Sequence, residues 1–386
     1  MVPLEAAAYP YSLGRLVVYF LRLGALGFGG PVALVGYMQR DLVDQRQWIR
    51  QVDYDEGLAL AQLAPGPLAA QLASYLGWVR ARAQGAVLVS VAFVAPSFAM
   101  VLALSVLYVR FGGLPWMQGA FYGIGAAVTA ILARSVVLLA RKTLQRDPLL
   151  LGVAAVNAAA TAITQSELVW FVVGGGLLTL AIRARPSSMP IFGVSLPAVW
   201  MAGIHGPASA VTLIKILGYF TAAGLLVFGS GLAVVPFLHG GVVVERAWLT
   251  ERQFLDAVAV AMITPGPVVI TVAFIGYLVA GFLGASLAAL GIFLPCVLIV
   301  LLAAPHYRRL AANPRIKTFV SGVTAGAVGA IGGASVVIAG KSLVDLPSVL
   351  LAATTVIALA LTKRLPEPVI IATAGIAGIV LRSQHP

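Results

Sequence analysis

The sequence predicts an all-α polytopic membrane protein made of two related halves, and three observations carry that prediction. Of its 386 residues 60% are hydrophobic and 10% charged, with a mean hydropathy of +0.99, a balance foreign to soluble domains. Apolar stretches recur from end to end between short loops, each about long enough to cross a hydrocarbon core of roughly 30 Å. The stretch 19–67 is also written twice: displaced by 200 residues it matches 219–267 at 16 of 49 positions without a gap, where composition alone would give roughly five.

In the first half, spans are expected over 13–37, 57–79, 85–109, 118–140, 149–163 and 168–182. The second half repeats the plan over 216–238, 257–282, 285–304, 318–340, 350–361 and 369–381. Basic clusters stand at Arg80 and Arg82, Arg141 to Arg146, Arg183 and Arg185, His306 to Lys317, and Lys363 with Arg364. Short basic loops stay in the cytoplasm. Holding all of them there puts the loop 40–52 outside and its copy, 242–253, inside, so the halves are expected in inverted topology. That requires 189–204 to cross as a linking helix, giving six, one and six, or about 13 transmembrane helices, with broken or re-entrant helices at the Gly/Pro motifs. The domains are then 1–185, a linker 186–207, and 208–386. The first ten residues lack a signal-peptide pattern and are expected as a short, cytoplasmic tail.

The formal net charge of +12 would suggest nucleic acid in a soluble protein, but here most basic residues report topology, and a few set a field that attracts anions. Cys296 is alone in an apolar run, which excludes a disulfide framework and a CxxC metal pair. No HExxH and no phosphate-binding GxxxxGK[ST] occurs. No metal, cofactor or enzymatic nucleophile is expected, and the partners are the lipid bilayer and a transported ion.

Breaks in the helices mark the candidate site. Glycine and proline inside a span leave backbone groups that lipid cannot satisfy, so such breaks persist only where protein or a water-filled cavity covers them. Phe28, Gly29, Gly30 and Pro31 form one break and Pro65, Gly66 and Pro67 another; Phe228, Gly229, Ser230 and Pro265, Gly266, Pro267 repeat them. Paired interruptions at matching positions of two halves indicate a transporter's binding site. A helix restarting after such a break offers free N–H groups and its positive dipole end, which suit an oxyanion. Arg15 and Arg22, with Lys215 in the repeat position of Arg15, are candidates for charge balance. Gln62, Gln71 and Thr264 are candidate side-chain donors. Close helix packing is the alternative use of any single glycine.

Arg46 with Trp48, and Arg246 with Trp248, occupy the loop between the broken spans, as interfacial anchors or as gating residues. Asp55, Glu56 and Asp256 lie near helix starts, where a carboxylate complements the dipole; proton coupling is the other reading. Arg134, inside a span, either serves function or snorkels to the interface. Asn157 and His239 read as packing or helix-end residues.

These motifs resemble one family. The run from Phe20 through Gly24, Phe28 to Pro31, and Leu60 to Pro67 with Gln71, is similar to the N-terminal half of the chromate ion transporter (CHR) family. Phe228 and Gly229, Val244 to Leu249, Phe254 to Asp256, Thr264 to Pro267, and Gly276 with Tyr277 are similar to the second half of its long-chain, two-domain members. The copy departs from the first at Ser230 and Gly231, opposite Gly30 and Pro31. The resemblance implies a secondary transporter of a bacterial-type cytoplasmic (inner) membrane that exports chromate, coupled to protons as an antiporter, and confers chromate resistance. Sulfate, a dianion of similar shape, remains an alternative substrate, and an anion channel an alternative class. A homodimer through the small-residue face Gly322, Gly326, Gly329, Gly332 and Gly333 is a further expectation.

Overall fold

A computed structural model describes residues 11–28, 30–111, 115–145, 147–164, 169–183, 209–226, 234–306, 313–361 and 367–383. All its regular structure there is helical. The first half runs through α1 (Leu13–Leu26), α2 (Gly30–Met38), α3 (Gln51–Leu63), α4 (Leu68–Phe111), α5 (Pro115–Leu144), α6 (Pro148–Thr164) and α7 (Val169–Arg183). The second runs through α8 (Ala210–Leu226), α9 (Val234–His239), α10 (Glu251–Ile263), α11 (Thr271–Ala303), α12 (Pro314–Ser342), α13 (Leu346–Leu361) and α14 (Glu367–Ser383). Among the described residues, four helices are long and apolar enough to cross a membrane, Leu68–Phe111, Trp116–Arg141, Val268–His306 and Pro314–Ser342, and five shorter apolar ones accompany them.

The duplication is repeated in local geometry. After α2 the chain widens into a π-helical turn, Gln39–Gln45, and after α9 into Gly240–Glu245. Both turns end on a left-handed residue, Gln47 at φ 51° and Ala247 at φ 48°. The N–H of Trp48 then bonds Leu42 O at 2.8 Å, and that of Trp248 bonds Val242 O at 2.8 Å. Further on, α4 bends at Ala81 (φ −149°, ψ 35°) and Arg82 (φ 49°, ψ −136°). Its counterpart α11 bends with nearly the same angles at Ala280 and Gly281.

Those bends reverse the chain. A Cβ on Gly77 would lie 2.3 Å from Gly85 O, whereas eight residues of continuous helix would hold the two about 12 Å apart. So α4 is two antiparallel arms, 68–80 and 83–111, and only its second arm has crossing length. The same contact recurs between Gly276 and Gly284 of α11.

Four of the expected spans fold back in the same way. The Tyr19 hydroxyl meets Tyr37 O at 3.3 Å, which requires α1 and α2 to lie side by side around the 27–30 break. Tyr75 donates to Glu56 at 3.3 Å, and a Cβ on Gly57 would collide with the Tyr75 ring, so α3 and the 68–80 arm form a second hairpin with Pro65–Pro67 at its tip. Tyr219 reaches Phe237 O at 2.9 Å, making α8 and α9 the copy of the first. Tyr108 touches both Asp256 and Phe274, which sets α10 and the start of α11 alongside each other as the copy of the second. With 13 or 14 residues each, the arms α1, α3 and α10 reach about 20 Å, short of the membrane's roughly 30 Å core. The expected spans 13–37, 57–79, 216–238 and 257–282 therefore fold back as helical hairpins.

This changes where one loop lies. Tyr11 stacks on Trp48 with ring centroids 5.1 Å apart, and Arg80 Nε donates to Tyr11 O at 3.1 Å. The loop 40–52 and the Arg80 cluster therefore share one end of the molecule, instead of the opposite ends expected. A hairpin contributes no crossing, and each one shifts the parity of the count.

The remaining helices are exchanged between the halves. α5 packs on α13 and α14, and α12 packs on α6 and α7. The α12 glycines expected to form a dimer face are used within the chain. A Cβ on Gly329 would lie 2.0 Å from Ala154 O, on Gly333 2.3 Å from Ala158 O, and on Gly322 2.7 Å from Gly175 O. Small residues allow such backbone approach, the main means of association where no hydrophobic drive exists.

Two outcomes follow from this packing. Cysteines introduced as Gln47→Cys and Arg82→Cys react with a membrane-impermeant thiol reagent added from the same side, with the native Cys296 buried; labelling from opposite sides would show that α3 and the first arm of α4 cross. A Cβ at Gly123 would lie 1.9 Å from Ala374 O, whereas Gly125 faces open space. Gly123→Val therefore destabilises the detergent-purified protein by about 1–3 kcal/mol, read as a fall in thermal midpoint, and Gly125→Ala leaves the midpoint nearly unchanged.

Candidate functional site where hairpin tips meet

The second-half tip is buried against the end of α1. The Gly266 N–H donates to Gly27 O at 2.8 Å, joining the Pro-Gly-Pro turn of one half to the Phe-Gly-Gly-Pro break of the other. Gly266 sits at φ +95°, and a Cβ there would lie 2.0 Å from Ser97 Oγ and 3.1 Å from Gly24 O. The position thus excludes a side chain on both conformational and steric grounds. Ser97, fully buried on the long arm of α4, donates to Gly24 O at 3.2 Å. α1 in turn lies tight against α4 at Gly24, where a Cβ would meet Phe93 O.

The first-half tip is closed by its own side chain. Gln71, buried on α4, donates its amide N–H to Pro65 O and lies over Gly66, which has φ +138°. Behind it, α4 begins after Pro67, which has no side-chain acceptor to cap it; the first return bond is Gln71 N–H to Pro67 O at 2.9 Å. The N–H groups of the buried Leu68, Ala69 and Ala70 thus open the helix at its positive end. Gly30 starts α2 at φ +72° with open space where a Cβ would stand. Half-buried Phe28 and Pro31 flank it. Buried helix starts of this kind suit an anion.

Other candidates lie elsewhere. Arg15 and Arg22 occupy the exposed face of α1; two residues before Gly24, Arg22 points to the other side of the helix from the Gly266 contact. Arg134 is exposed on α5, and Gln62 on α3. Lys215 is half-buried on α8. Thr264 donates back to Val260 O of its own helix at 2.6 Å, so its hydrogen is not offered to a ligand. Asn157 likewise donates to Val153 O at 2.9 Å. Gly29, Phe228, Gly229 and Ser230 lie outside the described residues.

The loop residues cluster at the hairpin bases. Arg46 stacks over Tyr19 and Trp48, at 5.4 and 4.9 Å from the ring centres. Arg246 lies over Tyr219 at 4.2 Å and Trp248 at 5.6 Å and donates to Gly241 O at 3.1 Å. These cation–π contacts clamp each base. Asp55 is exposed and accepts from Gln51 at 2.8 Å. His239 is buried as expected of a helix end, with Nε2 2.7 Å from Glu251, which also accepts from Lys341 at 2.8 Å.

Asp256 is a different case. It is 4% exposed and accepts a 2.7 Å hydrogen bond from Tyr108 near the end of the long α4 arm. Sequence reasoning missed Tyr108 and Ser97, two α4 residues whose polar atoms reach the other half's hairpin. One signal was present for Ser97: it follows Pro96 within an apolar run, and the copy carries Cys296 after Pro295.

Among the described residues no three His, Cys, Asp or Glu side chains gather as a metal site would need. The chemistry assembled at the tips is backbone N–H, glycine surface and a few neutral polar groups, which binds and releases without forming bonds.

A family model described as Chromate transporter matches the chain twice, over residues 14–180 and 214–379. The chromate transport protein of Cupriavidus metallidurans is 56% identical over 376 residues, which cover 96% of this chain and 93% of that one. The probable chromate transport protein of Synechococcus elongatus is 52% identical over 97% of both chains. A chromate transport protein of Pseudomonas aeruginosa is 33% identical over 97% of this chain and 94% of its own. No solved structure matches the chain. With one model matching both repeats and with relatives aligned over nearly their full length, the chain belongs to the chromate transporter family.

Proposed function

We propose that this chain exports chromate across the cytoplasmic membrane as a proton-coupled secondary transporter, by alternating access at a site between the hairpin tips. The observation that carries the proposal is the Gly266 N–H to Gly27 O bond. It joins the broken helices of the two halves at the inner ends of arms about 20 Å long, at the depth a midplane site requires. The names of the relatives support chromate as the substrate.

Inverted halves fit the contacts along α4. Its long arm starts beside the base of the first-half hairpins, reaches the second-half tip at Ser97 and the flank of that hairpin at Tyr108. A second-half hairpin whose base faces the far end of this arm enters from the side opposite to the first-half pair. In this reading Arg183 and Ser209 stand on opposite sides of the membrane; the expected linker 186–207, between the repeats 1–185 and 208–386, lies outside the described residues. The bend at Arg80–Arg82 within α4 and the basic ends after α5, α7, α11 and α13 then share the cytoplasmic side with the N-terminus.

The anion is held by the starts of α2, α4 and α11, with Gly30, Gly66 and Gly266 shaping the cradle. Asp256, bonded to Tyr108 across the interface between the halves, carries the coupling proton. An inside-negative potential assists outward movement of the anion by about 2.3 kcal/mol per charge per 100 mV, and protons returning in excess of any carried out on the anion add to it.

Chromate uptake into inverted membrane vesicles tests the function. Accumulation against a gradient that requires an imposed proton gradient and persists in excess sulfate is expected; equilibration without accumulation would indicate a channel, and loss in sulfate a sulfate carrier. Asp256→Asn should cut gradient-driven accumulation by about tenfold or more while chromate–chromate exchange continues. Exchange lost in equal measure would remove Asp256 from the coupling role. Gly266→Ala places a methyl against Ser97 and Gly24, and should lower both accumulation and exchange by about tenfold or more at normal membrane levels.

A further inference from the structure

The first-half tip holds a buried polar atom that anion binding by backbone N–H leaves unexplained. Gln71 is 1% exposed, and its amide is packed on the Pro65–Gly66–Pro67 turn, with Nε2 2.5 Å and Cδ 2.8 Å from where a Gly66 Cβ would stand. The orientation of the amide is set by its neighbour. Pro65 offers a carbonyl, which only accepts, so the NH2 group must face it. That leaves Oε1 turned away, buried and without a hydrogen-bond partner. Three residues on along the same helix side, Ser74 is also fully buried, and its Oγ too has no partner.

An amide oxygen can only accept. Whatever pairs with this buried oxygen must bring a proton. The N–H groups at the start of α4 ask the same occupant for acceptor oxygens. A fully ionised oxyanion meets the second demand and fails the first, whereas a singly protonated oxyanion meets both.

We propose that Gln71 reads a proton on the transported anion, so that the first-half tip binds the hydrogen-oxyanion form and thereby separates chromate from sulfate. This rests on the chromate-transport reading above. Chromate and sulfate are both tetrahedral dianions, and shape distinguishes them poorly. Their proton affinities differ widely: chromate exchanges its last proton near neutrality, while sulfate holds one only in strong acid. At cytoplasmic pH, then, the chromate pool contains an O–H that can donate to Gln71 Oε1, and the sulfate pool contains essentially none. Bound sulfate would leave that buried oxygen unpaired, a strong basis for discrimination between near-isosteres. The second half lacks the device, since its one-residue-shorter alignment puts Ile270 opposite Gln71.

The test is equilibrium binding of chromate and of sulfate to the full-length protein in detergent, at micromolar anion where dichromate is absent, over a pH series from below neutrality upward. Above chromate's own protonation point its apparent affinity should fall about tenfold per pH unit, the slope for one bound proton. Sulfate, measured on the same protein, corrects for titration of protein groups and should bind weakly with little slope. Gln71→Met should flatten the chromate slope and bring the two affinities together. A flat wild-type chromate profile, or a Gln71→Met protein that keeps both slope and preference, would overturn the proposal. Should that variant fail to fold, the two wild-type slopes decide alone. Wild-type protein that binds no chromate at any pH would refute the transport reading itself, an outcome distinct from binding chromate without a pH slope.

Discussion

Half-helices that stop inside a membrane protein leave N–H and C=O groups that lipid cannot satisfy, and much of this architecture follows from where those groups find partners. At the second-half tip the partner is the other half. Gly266 gives its N–H to Gly27 O, Ser97 gives its hydroxyl to Gly24 O, and the absence of side chains at Gly24 and Gly266 permits both. At the first-half tip Gln71 satisfies Pro65 O from within the same hairpin. The two tips are thus built by different means. One is a bond across the repeat interface; the other is a side chain folded over its own turn, with one acceptor left open.

Around the tips, the two halves hold each other. α5 lies against the last two helices of the second half and α12 against the last two of the first. Glycines along α5 and α12 make these contacts at backbone distance. Packing of that kind moves as rigid units, because a close backbone approach cannot be partly opened without losing all of its dispersion contact. The hairpins are anchored differently, by cation–π stacks at Arg46 and Arg246 and by single polar bonds such as Tyr108 to Asp256. A frame of exchanged helices around four short hairpins would give the proposed alternating access a division between what stays and what moves.

Repetition also makes the departures from symmetry informative. The π-helical turns recur, the left-handed residues at 47 and 247 agree to within a few degrees in φ, and the bends at 81–82 and 280–281 agree to within about 15°. Backbone geometry was therefore kept while most side chains diverged, a few of them polar groups near the tips and hairpin bases. Gln71 faces Ile270, Ser97 faces Cys296, and Gln39 and Gln51 stand where His239 and Glu251 pair. A symmetric scaffold with asymmetric polar groups allows one half to read the ligand and the other to respond to protons or to voltage.

The sequence alone determined the membrane class, the duplication, the family and the positions of the three breaks that fall among the described residues, because each depends on composition or on residue identity at fixed spacing. Pro65 to Pro67 and Pro265 to Pro267 were legible as breaks since proline removes a donor wherever it stands. What the chain does at a break was decided only by tertiary structure. An apolar run of some two dozen residues has the same hydropathy whether it crosses or turns back, so 57–79 reads as a span until Gly57 is seen against Tyr75. The same blindness put the loop 40–52 on the wrong end. Arg22 was plausible for charge by its place in the chain, but the helical repeat turns it away from Gly24. The α12 glycines were rightly read as a packing face, and only the fold could say that α6 and α7 of the same chain, rather than a second copy, lie against them. Direction of the chain after a break depends on contacts between residues far apart in sequence, and no local pattern encodes those.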